Sequence, residues 1–190
     1  EQNRVRAMAM IGISIGAAIL GERLLAPSGE GQVAETAGPG AAQLHSLPDF
    51  RLPDLEGRDV PSAAWAGKVL VLNFWATWCP PCLREMPIFA EAQSTSGHLQ
   101  VVGIAIDAVD DVAQVLSQHP VNYPILIGGT EAIEMSRRLG NRLQGLPFTV
   151  IFDSQGKRTH TQIGEVTRAS LERQIAPLLP KSAGTQTAGN

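Results

Sequence analysis

Val69-Leu70-Val71-Leu72-Asn73-Phe74-Trp75-Ala76-Thr77-Trp78-Cys79-Pro80-Pro81-Cys82 decides how this 190-residue chain is read. Its first half, Val69 to Phe74, is a nearly unbroken apolar run of strand length, the kind of segment that a sheet buries on both faces. The spacing then predicts a loop over Trp75 to Trp78 and a helix opening at Cys79, because Pro80 and Pro81 suit a first helical turn, where missing N–H groups cost little. Cys79 and Cys82 are the only cysteines in the chain. Two thiols three positions apart at the mouth of a helix are able to close and reopen a small disulfide ring, which points to exchange between dithiol and disulfide.

The first-turn position sets the expected roles. The positive end of the helix favours a thiolate on Cys79, and thiol pKa values in such motifs fall to roughly 3.5–7.5 from about 8.5. Cys79 is therefore expected to be the nucleophile, with Cys82, one turn further in and shielded, as the resolving thiol that breaks a mixed disulfide. Pro80 and Pro81 carry no amide hydrogens, so the Cys79 sulfur loses up to two backbone donors and the Cys82 N–H and thiol become its nearest partners. A weakly stabilised thiolate means a weakly stabilised reduced form and a low reduction potential, which tilts the pair toward reducing its partners. The opposite direction, a disulfide oxidase built on the same dithiol, stays open on these residues alone.

Phe74 to Pro87, with Trp78-Cys79-Pro80-Pro81-Cys82 at its centre and Leu83-Arg84-Glu85-Met86-Pro87 after it, resembles the active-site segment of the TlpA/ResA group of thioredoxin-like, membrane-tethered thiol-disulfide oxidoreductases. The likeness continues upstream into Pro48 to Gly57, similar to that family's entry hairpin, and downstream into Gly145 to Asp153, similar to its second active-site loop. It spans about residues 46–180. The resemblance implies that Pro147 is a cis-proline, which costs only about 0.5–1 kcal/mol for an X-Pro bond and turns the Leu146 backbone toward the cysteines to hydrogen-bond an extended client segment. Trp78 and Pro80, flanking the nucleophile, are expected to join Leu146 and Pro147 in binding clients. The resemblance also implies that Glu85 manages protons for the dithiol. Thioredoxins proper use a buried Asp at the position of Asn73, which does not titrate, so that work shifts toward Glu85. An ordinary solvated acid complementing the helix dipole is the competing reading of Glu85.

Other chemistries fit less well. Zinc wants four ligands in paired spacings, whereas His45, His98, His119 and His160 are scattered singly, so no metal site is expected. Covalent haem attachment fails because Leu83 follows Cys82. Peroxiredoxins share a similar entry hairpin, but their threonine and proline positions are occupied here by Ala76 and Leu72. A copper-delivering chaperone using both thiols and a histidine stays open, since thiolates suit Cu(I), although its usual cysteine spacing is one residue longer. No cofactor beyond the redox-active Cys79–Cys82 pair is expected.

Outside the central region the composition changes. Arg4 and Arg6 precede an apolar stretch from Ala7 to Gly21, so residues 1–26 read as an export signal or membrane anchor with its N-terminus in the cytoplasm. Residues 27–45 hold few large apolar side chains and read as a flexible tether with a span on the order of 25 Å. Residues 181–190 are small and polar, a tail expected to be disordered. The resulting expectation is a periplasmic domain tethered to the inner membrane. The resemblance adds an integral-membrane thiol electron donor and exported clients with CxxC-type disulfides, such as apocytochrome c or the copper site of a terminal oxidase. In the cytochrome-maturation branch the residue after the cis-proline is commonly Glu, and here it is Phe148. A formal net charge of −3 and the absence of a Lys/Arg cluster interleaved with aromatics exclude nucleic acid as a natural partner.

Residues 46–180 form one expected domain of the α/β class. Val101 to Ile106 and Tyr123 to Ile127 read as strands, and Phe148 to Phe152 with Arg158 to Ile163 as a hairpin across Asp153-Ser154-Gln155-Gly156. Asp110 and Thr130 are expected to cap two helices, the second stopped at Gly140, and Thr167 to start the last one. A thioredoxin fold follows, with an N-terminal hairpin extension and an inserted helix-strand unit around a central mixed sheet flanked by helices.

Overall fold

A computed structural model describes residues 43–180. Five strands make the central sheet: β3 (Val69–Trp75), β4 (Leu99–Ala105), β5 (Ile125–Ile127), β6 (Phe148–Phe152) and β7 (Arg158–Ile163), in the order β5-β4-β3-β6-β7. β3, β4 and β5 run parallel, while β6 and β7 are antiparallel additions on the other side of β3. Every residue of β3 and β4 is buried, which is why both strands read as continuous apolar runs. The period of two then sorts β3 cleanly. Val69, Val71 and Trp75 face helices α1 (Pro80–Thr95), α2 (Val109–Gln118) and α4 (Arg168–Ile175), in one core with Phe89, Val112 and Leu171. Leu70, Leu72 and Phe74 face the second core, with Ala132 and Met135 of α3 (Thr130–Arg138) and Leu52 of the entry hairpin. That hairpin pairs β1 (Arg51–Pro53) with β2 (Asp59–Pro61), and a single bridge between Asp54 and Leu126 lays its end along the β5 edge.

Several boundaries differ from the expected ones, each for a local reason. β3 extends through Trp75, because Trp75 pairs with Ala105 and its carbonyl accepts the Ile106 N–H at 2.8 Å, so Trp75 is a buried strand residue and no part of the loop. β4 begins at Leu99, two residues earlier than the apolar run suggests. β5 is confined to Ile125–Ile127 because Pro124 has no N–H for the ladder and contributes only its carbonyl, to Gly103. α2 starts before Asp110, with Ala108 at its N-cap, and Thr130 is the first residue of α3, behind Gly129. Neither acts as a cap. Thr167 does cap α4, in a reciprocal pair of bonds with Ser170. Gly140 follows α3 at φ +123°, a conformation that stops the helix.

Within the stretch expected to be a tether, the Leu44 N–H donates to the Arg138 carbonyl at 2.8 Å and the His45 carbonyl accepts from the Arg158 N–H at 2.9 Å. The expected signal or anchor (1–26), the rest of the tether and the tail lie outside the described residues. Among the described residues no helix is long and apolar enough to cross a membrane.

The close approach of α3 to the sheet depends on Gly128. A Cβ there would run into the Cβ of Ala132 and lie 2.9 Å from Ile104 Cγ2, and neither is the end of a flexible chain that swings aside. Gly128→Ala is expected to destabilise the fold by about 1–3 kcal/mol through overpacking. An unchanged urea midpoint would contradict this packing.

Candidate active site

The parallel strands deliver their C-terminal ends to one rim of the sheet, and the chain leaving β3 turns through Ala76 to Trp78 straight into α1. Thr77 holds this turn: its N–H donates to Asp107 Oδ2 at 3.2 Å and its hydroxyl donates to the same oxygen. With Asp107 so engaged on the loop after β4, the two segments that frame the rim are tied together.

Cys79 is the N-cap of α1, with Pro80 and Pro81 in the first helical turn. Cys79 and Cys82 are joined in a disulfide, S–S 2.07 Å. Cys82 is wholly buried and Cys79 is 4% exposed, so Cys82 is the better shielded of the two and Cys79 itself is nearly covered. It belongs to the apolar cluster that also takes in Trp75, Met86 and part of Leu146. Trp78 beside it is 69% exposed and Pro80 is also exposed, whereas Trp75 is buried. The Cys82 N–H, which the sequence offers to the Cys79 sulfur, donates to the Cys79 carbonyl at 3.0 Å, and the Leu83 N–H donates to the same carbonyl at 3.3 Å.

Glu85 turns inward with Cys82, Met86 and Phe89 on the buried face of α1. It has no exposed surface, which rules out the solvated-acid reading. One carboxyl oxygen accepts the Asn73 amide at 2.7 Å and the other accepts the Val166 N–H at 2.8 Å. Asn73 also donates to Thr149 Oγ1 at 3.1 Å, its partner in the β3–β6 register. Burial pushes the Glu85 carboxyl up to about 7, against the lowering pull of the Val166 and Asn73 hydrogen bonds, and the nearby charge of Glu165 pushes it the same way as burial. Tyr123 is raised above its ordinary value by burial and by Glu85.

Leu146–Pro147 is a cis peptide, as the resemblance implied. Pro147 is buried and Leu146 half-buried. The approach to this bond is shaped by Asn141, whose side-chain amide pairs with both backbone groups of Gly145, at 2.9 and 3.0 Å, and leaves Leu143 86% exposed at the loop tip. Phe148, where the cytochrome branch commonly has Glu, is 1% exposed.

Thus Cys79 at the N-cap and Cys82 and Glu85 in α1 follow one another at three-residue steps over the first two turns, and Trp78 and Pro80 flank the first of them. Sequence reasoning missed Thr149, Val166, Asp107 and Asn141. For Thr149 a signal existed, since it and Asn73 are the lone polar residues in the otherwise apolar runs of two paired strands. The four histidines stay apart, and among the described residues no group of three or more His, Cys, Asp or Glu side chains converges.

Comparison with known proteins agrees with this geometry. Residues 43–175 match the family described as Redoxin. The thiol-disulfide oxidoreductase ResA of Bacillus thuringiensis (strain Al Hakam) is 33% identical over 136 residues, covering 70% of this chain and 76% of the relative. Among solved structures, a thiol:disulfide interchange protein of the thioredoxin family from Chlorobium tepidum superposes with a TM-score of 0.65 at 27% identity, over 72% of this chain and 97% of that one. A thioredoxin-related protein from Neisseria meningitidis serogroup B gives 0.61 at 32% identity, over 67% and 97%. With the dithiol at the mouth of α1, the buried acid one turn on and the cis-proline loop all present, the chain belongs to the Redoxin family, among its ResA-like thiol-disulfide oxidoreductases of the thioredoxin fold.

Proposed function

We propose that this protein works as a reductant of disulfides in exported proteins, with Cys79 as nucleophile, Cys82 as resolving thiol and Glu85 as proton acceptor. The observation that carries the direction is the poverty of donors around the Cys79 sulfur. Pro80 and Pro81 supply none, and the next two amides, of Cys82 and Leu83, are spent on the Cys79 carbonyl. A thiolate so placed gains little from its surroundings beyond the helix end, so the reduced form is a ready electron source.

The cycle balances with two electrons. The Cys79 thiolate attacks one sulfur of a client disulfide, forming the mixed disulfide and releasing the client's other sulfur as a thiolate. Cys82 then yields its proton to ionised Glu85 and attacks the Cys79 sulfur, expelling the client's second thiolate and closing the Cys79–Cys82 bond. With its carboxyl near 7, Glu85 is partly ionised at neutral pH and able both to take that proton and to lose it again. Trp78, Pro80, Leu146 and Pro147 bind the client segment around its disulfide. A periplasmic location, held at the inner membrane, is supported by the basic-then-apolar stretch from Arg4 to Gly21. There the regenerating electrons come from an integral-membrane thiol donor, and the clients carry CxxC-type disulfides.

Equilibrating the protein with glutathione and dithiothreitol buffers tests the direction. A potential nearer to that of thioredoxin, about −270 mV, than to that of strong disulfide donors, about −120 mV, is the expected result. A value at the oxidising end would reverse the assignment to an oxidase.

A further inference from the structure

Arg84 lies between Cys82 and Glu85 in sequence but points outward, and two nitrogens of its guanidinium make three contacts with Glu165: Nη2 to Oε2 at 2.6 Å, Nε to Oε2 at 3.1 Å and Nε to Oε1 at 3.3 Å. Glu165 sits in the short segment Gly164–Val166 that joins β7 to α4. Both of its neighbours in that segment reach into the site. The Val166 N–H donates to Glu85 Oε2 at 2.8 Å, and the Gly164 N–H donates to the carbonyl of cis-Pro147, also at 2.8 Å. The Glu165 carbonyl is held from the other side by Gln162 Nε2 at 2.8 Å. One three-residue segment therefore bonds to the buried acid of α1 and to the cis-proline loop, and a surface ion pair adds a second tie to α1.

We propose that Arg84 and Glu165 are positioning residues for disulfide exchange, locking the Gly164–Val166 segment against the first turns of α1 so that Glu85 and Pro147 are held in one fixed relation. This rests on the role proposed above for Glu85. The lock does its work through the Val166 N–H, which satisfies the ionised form of Glu85 where the side chain has no exposed surface. The charged and titratable groups that act on Glu85 are Glu165 from this segment and Tyr123 from the stretch before β5. Arg168, the next cation along the chain, is paired with Glu91.

Removing Arg84 acts on Glu85 in one direction only. Glu165 is left unneutralised, a positive charge is lost, and the Val166 N–H is held less firmly; each change favours protonated Glu85. In the oxidised full chain carrying Arg84→Met, the carboxyl carbon resonance of Glu85, followed by NMR against pH, is expected to titrate about half a unit higher than in the wild type, the size suited to an exposed pair. Amide exchange at Val166 and Gly164 is expected to quicken roughly threefold. The double exchange Arg84→Glu with Glu165→Arg restores the pair with its charges reversed, and is expected to bring both readouts most of the way back.

An unshifted Glu85 titration in Arg84→Met, or a swap variant displaced as far as the single one, would overturn the lock. The underlying reading is tested separately by the pH profile of disulfide exchange in Glu85→Gln. If the inflection near neutrality persists there, Glu85 is not the proton acceptor, whatever the carboxyl resonance and the amides report about the lock.

Discussion

Asn73→Asp is expected to make the stability of this protein strongly dependent on pH, with a loss of about 3–5 kcal/mol at pH 8 that largely disappears at pH 5. Asn73 donates to Glu85 at 2.7 Å and to Thr149 at 3.1 Å. Aspartate at the same place removes both donors and sets a second carboxyl group against Glu85 where neither is solvated. Two such groups do not both ionise, so the pair holds a proton well beyond the pH at which Glu85 alone would release it.

Linkage gives the sign. Glu85 in the wild type already keeps its proton to about 7 when folded, against an ordinary value of 4.5 when unfolded. Between those values the folded state binds more protons than the unfolded one, so stability falls as pH rises through that window, by about 3 kcal/mol, and is flat above it. The aspartate variant carries the fall on to higher pH. At pH 5 both carboxyl groups are protonated and one is able to donate to the other. Glu85→Gln, with nothing to titrate, is expected to lose the wild-type slope. Urea unfolding of the three proteins at pH 5, 6.5 and 8 measures all of this. A penalty for Asn73→Asp that is equal at pH 5 and pH 8 would show that packing, and not shared ionisation, is what the substitution disturbs.

Cys82→Ala and Cys79→Ser are expected to fail at opposite ends of the exchange cycle. Cys79 keeps a small exposed area beside exposed Trp78 and Pro80, whereas Cys82 has none, so an incoming disulfide meets the Cys79 sulfur first. Cys79→Ser removes the attacking atom, and turnover is expected to drop by more than about a thousandfold. Cys82→Ala leaves the first attack intact and removes the step that resolves it, so a covalent adduct accumulates on Cys79. The disulfide closes so short a loop that its removal costs only about 2 kcal/mol, too little for unfolding to mimic either outcome. Mass spectrometry of each variant after mixing with a disulfide-bonded client reads the result directly. Faster alkylation of Cys82 than of Cys79 in the reduced wild type would reverse the roles.

Much of this arrangement is legible in the chain because its signals are local. An apolar run from Val69, followed at once by the dithiol and two prolines, specifies a buried strand entering a helix whose mouth carries the reactive sulfur. Cis-Pro147 was legible only through family resemblance, since nothing in Gly145-Leu146-Pro147 distinguishes a cis bond from a trans one by residue type alone. The capping errors at Asp110 and Thr130 share a cause. In each case the N-cap is a residue with no capping side chain, Ala108 or Gly129, so the helix begins ahead of the expected cap, and the nearby Asp107 is committed to Thr77, 30 residues away.

What the sequence determined by itself is the reacting pair, its order along a helix and the α/β class, because these depend on neighbours within a few residues: strand periodicity, proline geometry and the helix end. What only the tertiary structure decided is the environment of Glu85. Its burial, its bonds to Asn73 and to the Val166 N–H 81 residues away, and the grip of Arg84 on Glu165 across the same distance arise where β3, α1 and the β7–α4 segment meet. Desolvation and hydrogen bonding act through space, and a carboxyl group's readiness to hold a proton belongs to the groups packed around it, wherever they stand in the chain.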